Sequence, residues 1–292
     1  MATETTQRDM MLVYDGDCPM CISTVGMLKR SGLVTPEQTV SSHDLSADEF
    51  STAHAAGLRN QLVVLEPRTQ ETRSGTDGLL WIIGRNRGNP LWVRALSLPG
   101  VRHLVGMGYE TISYNRRIVS PPRHAVRCDC EPEVTLGRRL MLVVPLLVAT
   151  IALTAMFGAT LFARLNLGDA ATGAVWMIAG AGVGWVVMGC FASAALRSEQ
   201  RIDYLAHLVV TAFMGVLVLL PAAVVSWWLP PWGVAALAIV SVLVSFTIMF
   251  RMQVRRIPAV GLSTRWLWAW SGVLVIALLG TTLFYFAERS IP

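Results

Sequence analysis

Five apolar runs, residues 140–162, 174–196, 205–229, 234–250 and 266–287, dominate the second half of this sequence. Each is close to the roughly 20 residues that a helix needs to cross a hydrocarbon core. In lipid a backbone must satisfy its own hydrogen bonds, so runs of this kind read as helices and the half that carries them as an all-α membrane bundle. Composition agrees: 53% of the 292 residues are hydrophobic and only 15% charged, too apolar for an ordinary soluble protein.

Arginines flank these runs unevenly. Arg138 and Arg139 precede the first; Arg197 and Arg201 separate the second from the third; Arg251, Arg255, Arg256 and Arg265 separate the fourth from the fifth. The alternate loops hold only Arg164, then the uncharged Leu229-Pro230-Pro231-Trp232, with Arg289 at the tail. The positive-inside rule then expects an integral membrane protein, in a bacterial plasma membrane, with its first half cytoplasmic and its C-terminus outside. An odd number of spans fits that arrangement. The formal net charge of +5 sits beside apolar runs and not in a basic arm, so membrane lipid and not nucleic acid is the expected partner. Pro221 is expected to kink the third span, and Trp227, Trp228, Trp232, Trp266, Trp268 and Trp270 to sit in interfacial belts. Gly180, Gly182, Gly184 and Gly189 suit close helix packing in the second span. Asp203, Tyr204 and His207 enter the third as an interfacial polar cap, with a headgroup or quinone as the alternative.

The chemistry-bearing stretch lies at the other end. Met11 to Tyr14 is a short apolar run that reads as a buried strand, stopped by the turn residues Asp15-Gly16-Asp17. Cys18-Pro19-Met20-Cys21 follows. Pro19 suits a first helical position, and Ile22, Val25 and Leu28 have the spacing of a core-facing stripe. Cys18 then stands at a helix N-terminus with Cys21 one turn on. Free N–H groups and the helix dipole stabilise a thiolate there, so the pair reads as a reactive dithiol supported by Asp15, Asp17 and Pro19. The polar start, residues 1–9, and the short run after it lack the signal-peptide pattern, so this half is expected to stay where it is made.

The segment from Val13 to Cys21 resembles the signature of the DCC family, whose name comes from Asp-Cys-x-x-Cys. The similarity extends over about residues 11–117, including Gly75 before a helix, Leu98-Pro99-Gly100 and Tyr114-Asn115-Arg116. It implies a thioredoxin-like domain and thiol-disulfide oxidoreductase activity, with Cys18 attacking and Cys21 resolving. The element order expected from propensity and turns is β-α-β-α-β-β-α, which is the thioredoxin order. One departure stands out. Thioredoxins carry a cis-proline before the third strand, where this sequence has Asn60-Gln61, and Pro67 follows the strand instead. After it, residues 98–115 read as an amphipathic helix with Val101, Leu104, Val105 and Ile112 on one side, either lying on a bilayer surface or closing the domain against the sheet.

The expected division is a thioredoxin-like domain over 1–118, a linker over 119–137 and a transmembrane domain over 138–292. The linker holds Cys128 and Cys130, with three readings open: a second redox pair exchanging with Cys18 and Cys21, a four-thiolate zinc or iron-sulfur site made by all four, or exposed thiols. No cofactor is expected in the first and third. Function is read as membrane-tethered thiol-disulfide exchange with a partner protein. The other class is an accessory or assembly subunit that docks on a larger membrane complex through its thioredoxin-like domain.

Overall fold

The computed structural model describes residues 10–67, 69, 71–87, 90–121, 132 and 135–289. The chain divides into two compact units, Met1–Arg139 and Leu140–Pro292. Most of the expected linker, Cys128 and Cys130 included, lies outside the described residues.

The first unit opens with β1 (Met11–Tyr14), α1 (Pro19–Arg30), β2 (Thr39–Ser41) and α2 (Ala47–Ala55). It continues with β3 (Val63–Glu66), β4 (Glu71–Ser74), α3 (Gly75–Arg87), α4 (Leu91–Leu96), α5 (Pro99–Tyr114) and α6 (Arg116–Val119). The strands form one mixed sheet in the order β2-β1-β3-β4, with β1 parallel to β2 and antiparallel to β3, and β3 antiparallel to β4. This is the thioredoxin-like arrangement that the element order implied. Successive residues of a strand face opposite sides. Leu12 and Val64 therefore pack with Val25, Leu28 and Ile82 of α1 and α3, while Met11, Val13, Val63 and Leu65 pack with Ala53 and Leu58 on the other side.

Two helices correct the sequence reading. On α1 the buried stripe is Cys21, Val25 and Leu28, whereas Ile22 is 48% exposed, because the helix starts at Pro19 and turns its dithiol inward. On α5, the side facing the domain carries Tyr109 and Ser113, while Val101, Leu104 and Ile112 are exposed. The apolar stripe of that helix points away from the sheet.

The second unit, with the helix that leads into it, comprises α7 (Leu136–Leu165), α8 (Ala170–Ala195), α9 (Ser198–Leu217), α10 (Leu220–Val225), α11 (Pro231–Ala259) and α12 (Arg265–Arg289). Five segments are long and apolar enough to cross a membrane, the third being Gln200–Trp228. That third segment is interrupted between α9 and α10, just before Pro221, whose ring removes an N–H and clashes with the preceding turn. The fourth run, short by composition, belongs to a 29-residue helix that carries Arg251, Arg255 and Arg256 in its last turns.

Small residues set the helix approaches. A Cβ built on Gly158 of α7 would lie 2.4 Å from the Gly173 carbonyl oxygen of α8, and one on Gly180 2.7 Å from Thr281 Oγ1 of α12. Trp270 is fully buried, stacked on Phe246 and edge-on to Trp185, so it is a core residue and not part of an interfacial belt. Trp227, Trp228, Trp232 and Trp268 are exposed, as a belt requires. Tyr204 and His207 are likewise buried instead of capping an interface. His207 Nδ1 lies 2.8 Å from the Arg256 guanidinium, and Gln253 Nε2 donates to Thr211 Oγ1 at 3.4 Å, so a polar seam joins α9 to α11.

Close approach at Gly158 has a direct test. Gly158→Ala is expected to lower the thermal unfolding midpoint of the detergent-solubilised chain, at a cost of about 1–3 kcal/mol from overpacking against a carbonyl that cannot rotate away. Gly182→Ala, with no atom within 4 Å of the new Cβ, is expected to leave the midpoint unchanged.

Candidate functional site

The turn that ends β1 builds the site. The Asp15 carboxylate accepts the Asp17 backbone N–H at 2.9 Å through one oxygen, closing the turn on itself. Its other oxygen accepts from the Arg116 guanidinium at 2.8 Å, across 101 residues of sequence. Both partners are almost completely enclosed, Asp15 at 3% and Arg116 at 1% exposure. Gly16 lies against the start of the next loop: a Cβ there would meet Ser41 Oγ at 2.3 Å and His43 Cδ2 at 2.7 Å, so the turn has room only for glycine. The next carboxylate, Asp17, faces His43 Nε2 at 3.3 Å.

Cys18 is the N-cap of α1 and Pro19 its first helical residue. The Cys18 sulfur accepts the Cys21 backbone N–H at 3.3 Å, taking the place that a serine or aspartate oxygen usually holds. Both cysteines are buried free thiols. Their protons are held unequally. A hydrogen bond from the Cys21 thiol is the largest influence on Cys18; burial opposes it, and the Cys21 N–H and the Arg116 guanidinium add to it, lowering the Cys18 thiol to about 7. The same hydrogen bond, together with burial and the Cys18 charge, pushes the Cys21 thiol far up. Two chemically identical side chains one helical turn apart thus hold their protons unequally, Cys18 being the more readily ionised.

Cys18 also lines a pocket with Asp15, Asp17, Pro19, Arg116, Arg117 and Ser120. Asp15, Asp17 and Pro19, named from the sequence beside the dithiol, are among its lining residues. The guanidinium of Arg116 completes it. Sequence reasoning noted Arg116 only within the closing Tyr114-Asn115-Arg116 of the family resemblance, and nothing in its local pattern announces a buried cation beside the dithiol.

The loop before β3 is held from the other side. Leu62 N–H donates to the Tyr109 hydroxyl at 3.2 Å, and the Ser113 hydroxyl donates to the Asn60 carbonyl. The Tyr109 hydroxyl is pushed above its usual range, chiefly by burial. Leu62 C=O accepts from Gly75, whose φ of +57° and contact with Gln61 and Tyr109 explain why a glycine opens α3. The segment that holds a cis-proline in thioredoxins is here an Asn-Gln-Leu loop clamped by α5, and no cis peptide bond occurs among the described residues. Neither does a cluster of three or more His, Cys, Asp or Glu suited to a metal occur among them, while Cys128 and Cys130 lie outside that set. Cys190 is exposed on α8.

The Cys18 proton can be followed by alkylation. The rate at Cys18 is expected to rise with pH along a titration centred near 7 and to level off above it, since the thiolate is the reacting form. Arg116→Met should move that midpoint upward by removing the cation. It should also destabilise the domain by about 3–5 kcal/mol, because Asp15 is left charged and enclosed. Mass-spectrometric alkylation kinetics and denaturant unfolding measure the two effects.

Comparison with curated proteins and with solved structures gives no match. A family model does match. It is that of the DCC1-like thiol-disulfide oxidoreductase, and it covers residues 12–120, from the second residue of β1 to the residue after α6, so the similarity lies wholly within the first unit.

Proposed function

We propose that the chain is a membrane-tethered thiol-disulfide oxidoreductase in which Cys18 is the attacking and Cys21 the resolving thiol. The observation that carries this reading is the place of the pair at the N-terminus of α1, where the Cys18 sulfur caps the helix by accepting the Cys21 N–H and the two thiols lie one turn apart. The Cys18 thiolate attacks one sulfur of a partner disulfide, forming a mixed disulfide and releasing the other partner sulfur as a thiolate. Bond formation removes the Cys18 negative charge and the acceptor that held the Cys21 proton. Both had raised the Cys21 thiol, so its proton leaves more readily once it is needed. Cys21 then attacks the Cys18 sulfur, the second partner thiol departs, and the chain is left with a Cys18–Cys21 disulfide. Two electrons and two protons have passed to the partner; the reverse sequence oxidises a partner dithiol. No resident cofactor is required. If Cys128 and Cys130 take part, they do so as a second pair that exchanges with the first, and a four-thiolate zinc or iron-sulfur site is the competing reading, which elemental analysis of the purified chain decides.

The same reading puts the dithiol domain on the cytoplasmic side, in a bacterial plasma membrane, with the C-terminus outside. Arginine bias supports it. Of the arginines on the opposite side, Arg164 donates to the carbonyls of Ser226 and Leu229, capping a helix end. The clamped Asn60–Gln61–Leu62 loop favours a second reading, an accessory subunit that docks on a larger membrane complex, because a loop amide already engaged by Tyr109 is not open for the backbone pairing by which a disulfide substrate is usually held. Gentle purification separates the two: an isolated, active chain is expected for the oxidoreductase, and obligate co-purification with a complex for the subunit.

Trapping tests the exchange. Cys21→Ala is expected to accumulate a mixed disulfide through Cys18 that is released by reductant, and Cys18→Ser to accumulate none. Absence of any adduct in Cys21→Ala membranes overturns the proposal. For the orientation, an impermeant maleimide should reach Cys18 in inside-out but not in right-side-out vesicles.

A further inference from the structure

Outside the dithiol site, the first unit presents an apolar surface that its own core does not use. Leu91 is 82% exposed on α4; Leu98, just ahead of α5, is 57% exposed, and Leu104 on α5 is 68% exposed. Trp92 and Val101 are exposed as well. Residues 98, 101 and 104 recur every three positions, so they form one stripe along the start of α5, and α4 packs beside that helix. A monomeric soluble domain seldom leaves so many large apolar side chains together in water.

Charge on the same stretch has one sign. From Gly78 to Tyr109 the sequence contains no aspartate or glutamate, but it contains Arg85, Arg87, Arg94 and Arg102. Arg102 is bridged to Asp77 at 2.7 Å and Arg85 to Glu66 at 3.2 Å, so the acidic groups that answer these two come from outside the stretch. Arg94 is exposed within α4 itself, between Leu91 and Leu98. Large apolar side chains with a tryptophan, bordered by arginines on a stretch that carries no carboxylate of its own, are what an interfacial lipid-binding helix presents. A bilayer is the surface that five helices of the same chain, each long and apolar enough to cross one, bring alongside. The opposite end of α5 is tied, within the first unit, to the residues that immediately precede the first apolar run: Glu110 accepts from Arg138 at 2.9 Å, and Asn115, at the end of the helix, accepts from Arg139 at 2.6 Å.

We propose that α4 and the first half of α5 form a lipid-binding surface that rests on an anionic bilayer, with Leu91, Trp92, Leu98, Val101 and Leu104 entering the headgroup region and Arg94 meeting lipid phosphate. The assignment is independent of the redox reading, because none of these residues touches the dithiol.

The test uses the intact chain in proteoliposomes that contain a photoactivatable carbene on a lipid acyl chain, followed by peptide mapping. The five apolar helices serve as the labelled standard and α2 as the unlabelled one. In vesicles containing phosphatidylglycerol, peptides covering residues 91–104 are expected to be labelled, and Leu98→Asp/Leu104→Asp is expected to lose that labelling while the five helices keep theirs. Both side chains are exposed, so the double variant should fold; retained thiol titration at Cys18 verifies that it does. Labelling of 91–104 no greater than that of α2 overturns the proposal, whether water or protein covers the surface. In pure phosphatidylcholine at raised salt the labelling should fall, and an undiminished signal there overturns the assignment to an anionic surface.

Discussion

The ion pair between Asp15 and Arg116 is the contact on which the first unit turns. It joins the end of the first strand to a helix that begins a hundred residues later, and it does so without access to water. An enclosed ion pair adds little net stability compared with an apolar pair of the same size, but it tolerates no partial loss. Its value here is geometric and electrostatic. Asp15 shapes the turn that delivers Cys18 to the helix N-terminus, and Arg116 brings a permanent positive charge to the thiolate that forms there. A carboxylate alone at that position would work against a Cys18 thiolate; paired, it becomes the anchor for the cation that favours one.

Much of this was readable before any coordinates. Met11 to Tyr14 as a strand, the glycine turn, Pro19 as first helical residue and Cys18 as the residue ahead of it are all decided by neighbours within a few positions, and such rules act in any context. The short apolar run of β1, and the length of the apolar runs in the second half, are likewise local quantities. The break before Pro221 follows from the proline ring alone.

What was not readable depends on distance or on small rotations. Nothing near Arg116 in sequence distinguishes it from the adjacent Arg117, since only the folded sheet brings one of them to Asp15. Tyr109 and Ser113 give no warning that they will hold the Asn60–Leu62 loop. Ile22 was assigned to the core and is exposed because a difference of one residue in a helix is a rotation of roughly 100°, which is enough to exchange it for Cys21. Val101, Leu104 and Ile112 form a correct apolar stripe, but a stripe does not say what it faces. Trp270 shows the same limit in the membrane half, where tryptophan composition suggested an interface and packing against Phe246 and Trp185 made it a core residue.

The Leu62 amide gives the site its last property. Thioredoxin-like domains usually leave the backbone of this loop open, so that an extended peptide can hydrogen-bond to it regardless of its side chains. Here the amide is already spent on the Tyr109 phenol. A visiting chain that wishes to align itself must displace an enclosed hydroxyl or do without the bond, and recognition then falls to the side chains around Cys18. Under the exchange proposed above, such a domain would choose its visitor by shape and charge around Cys18 and not by backbone pairing at this amide.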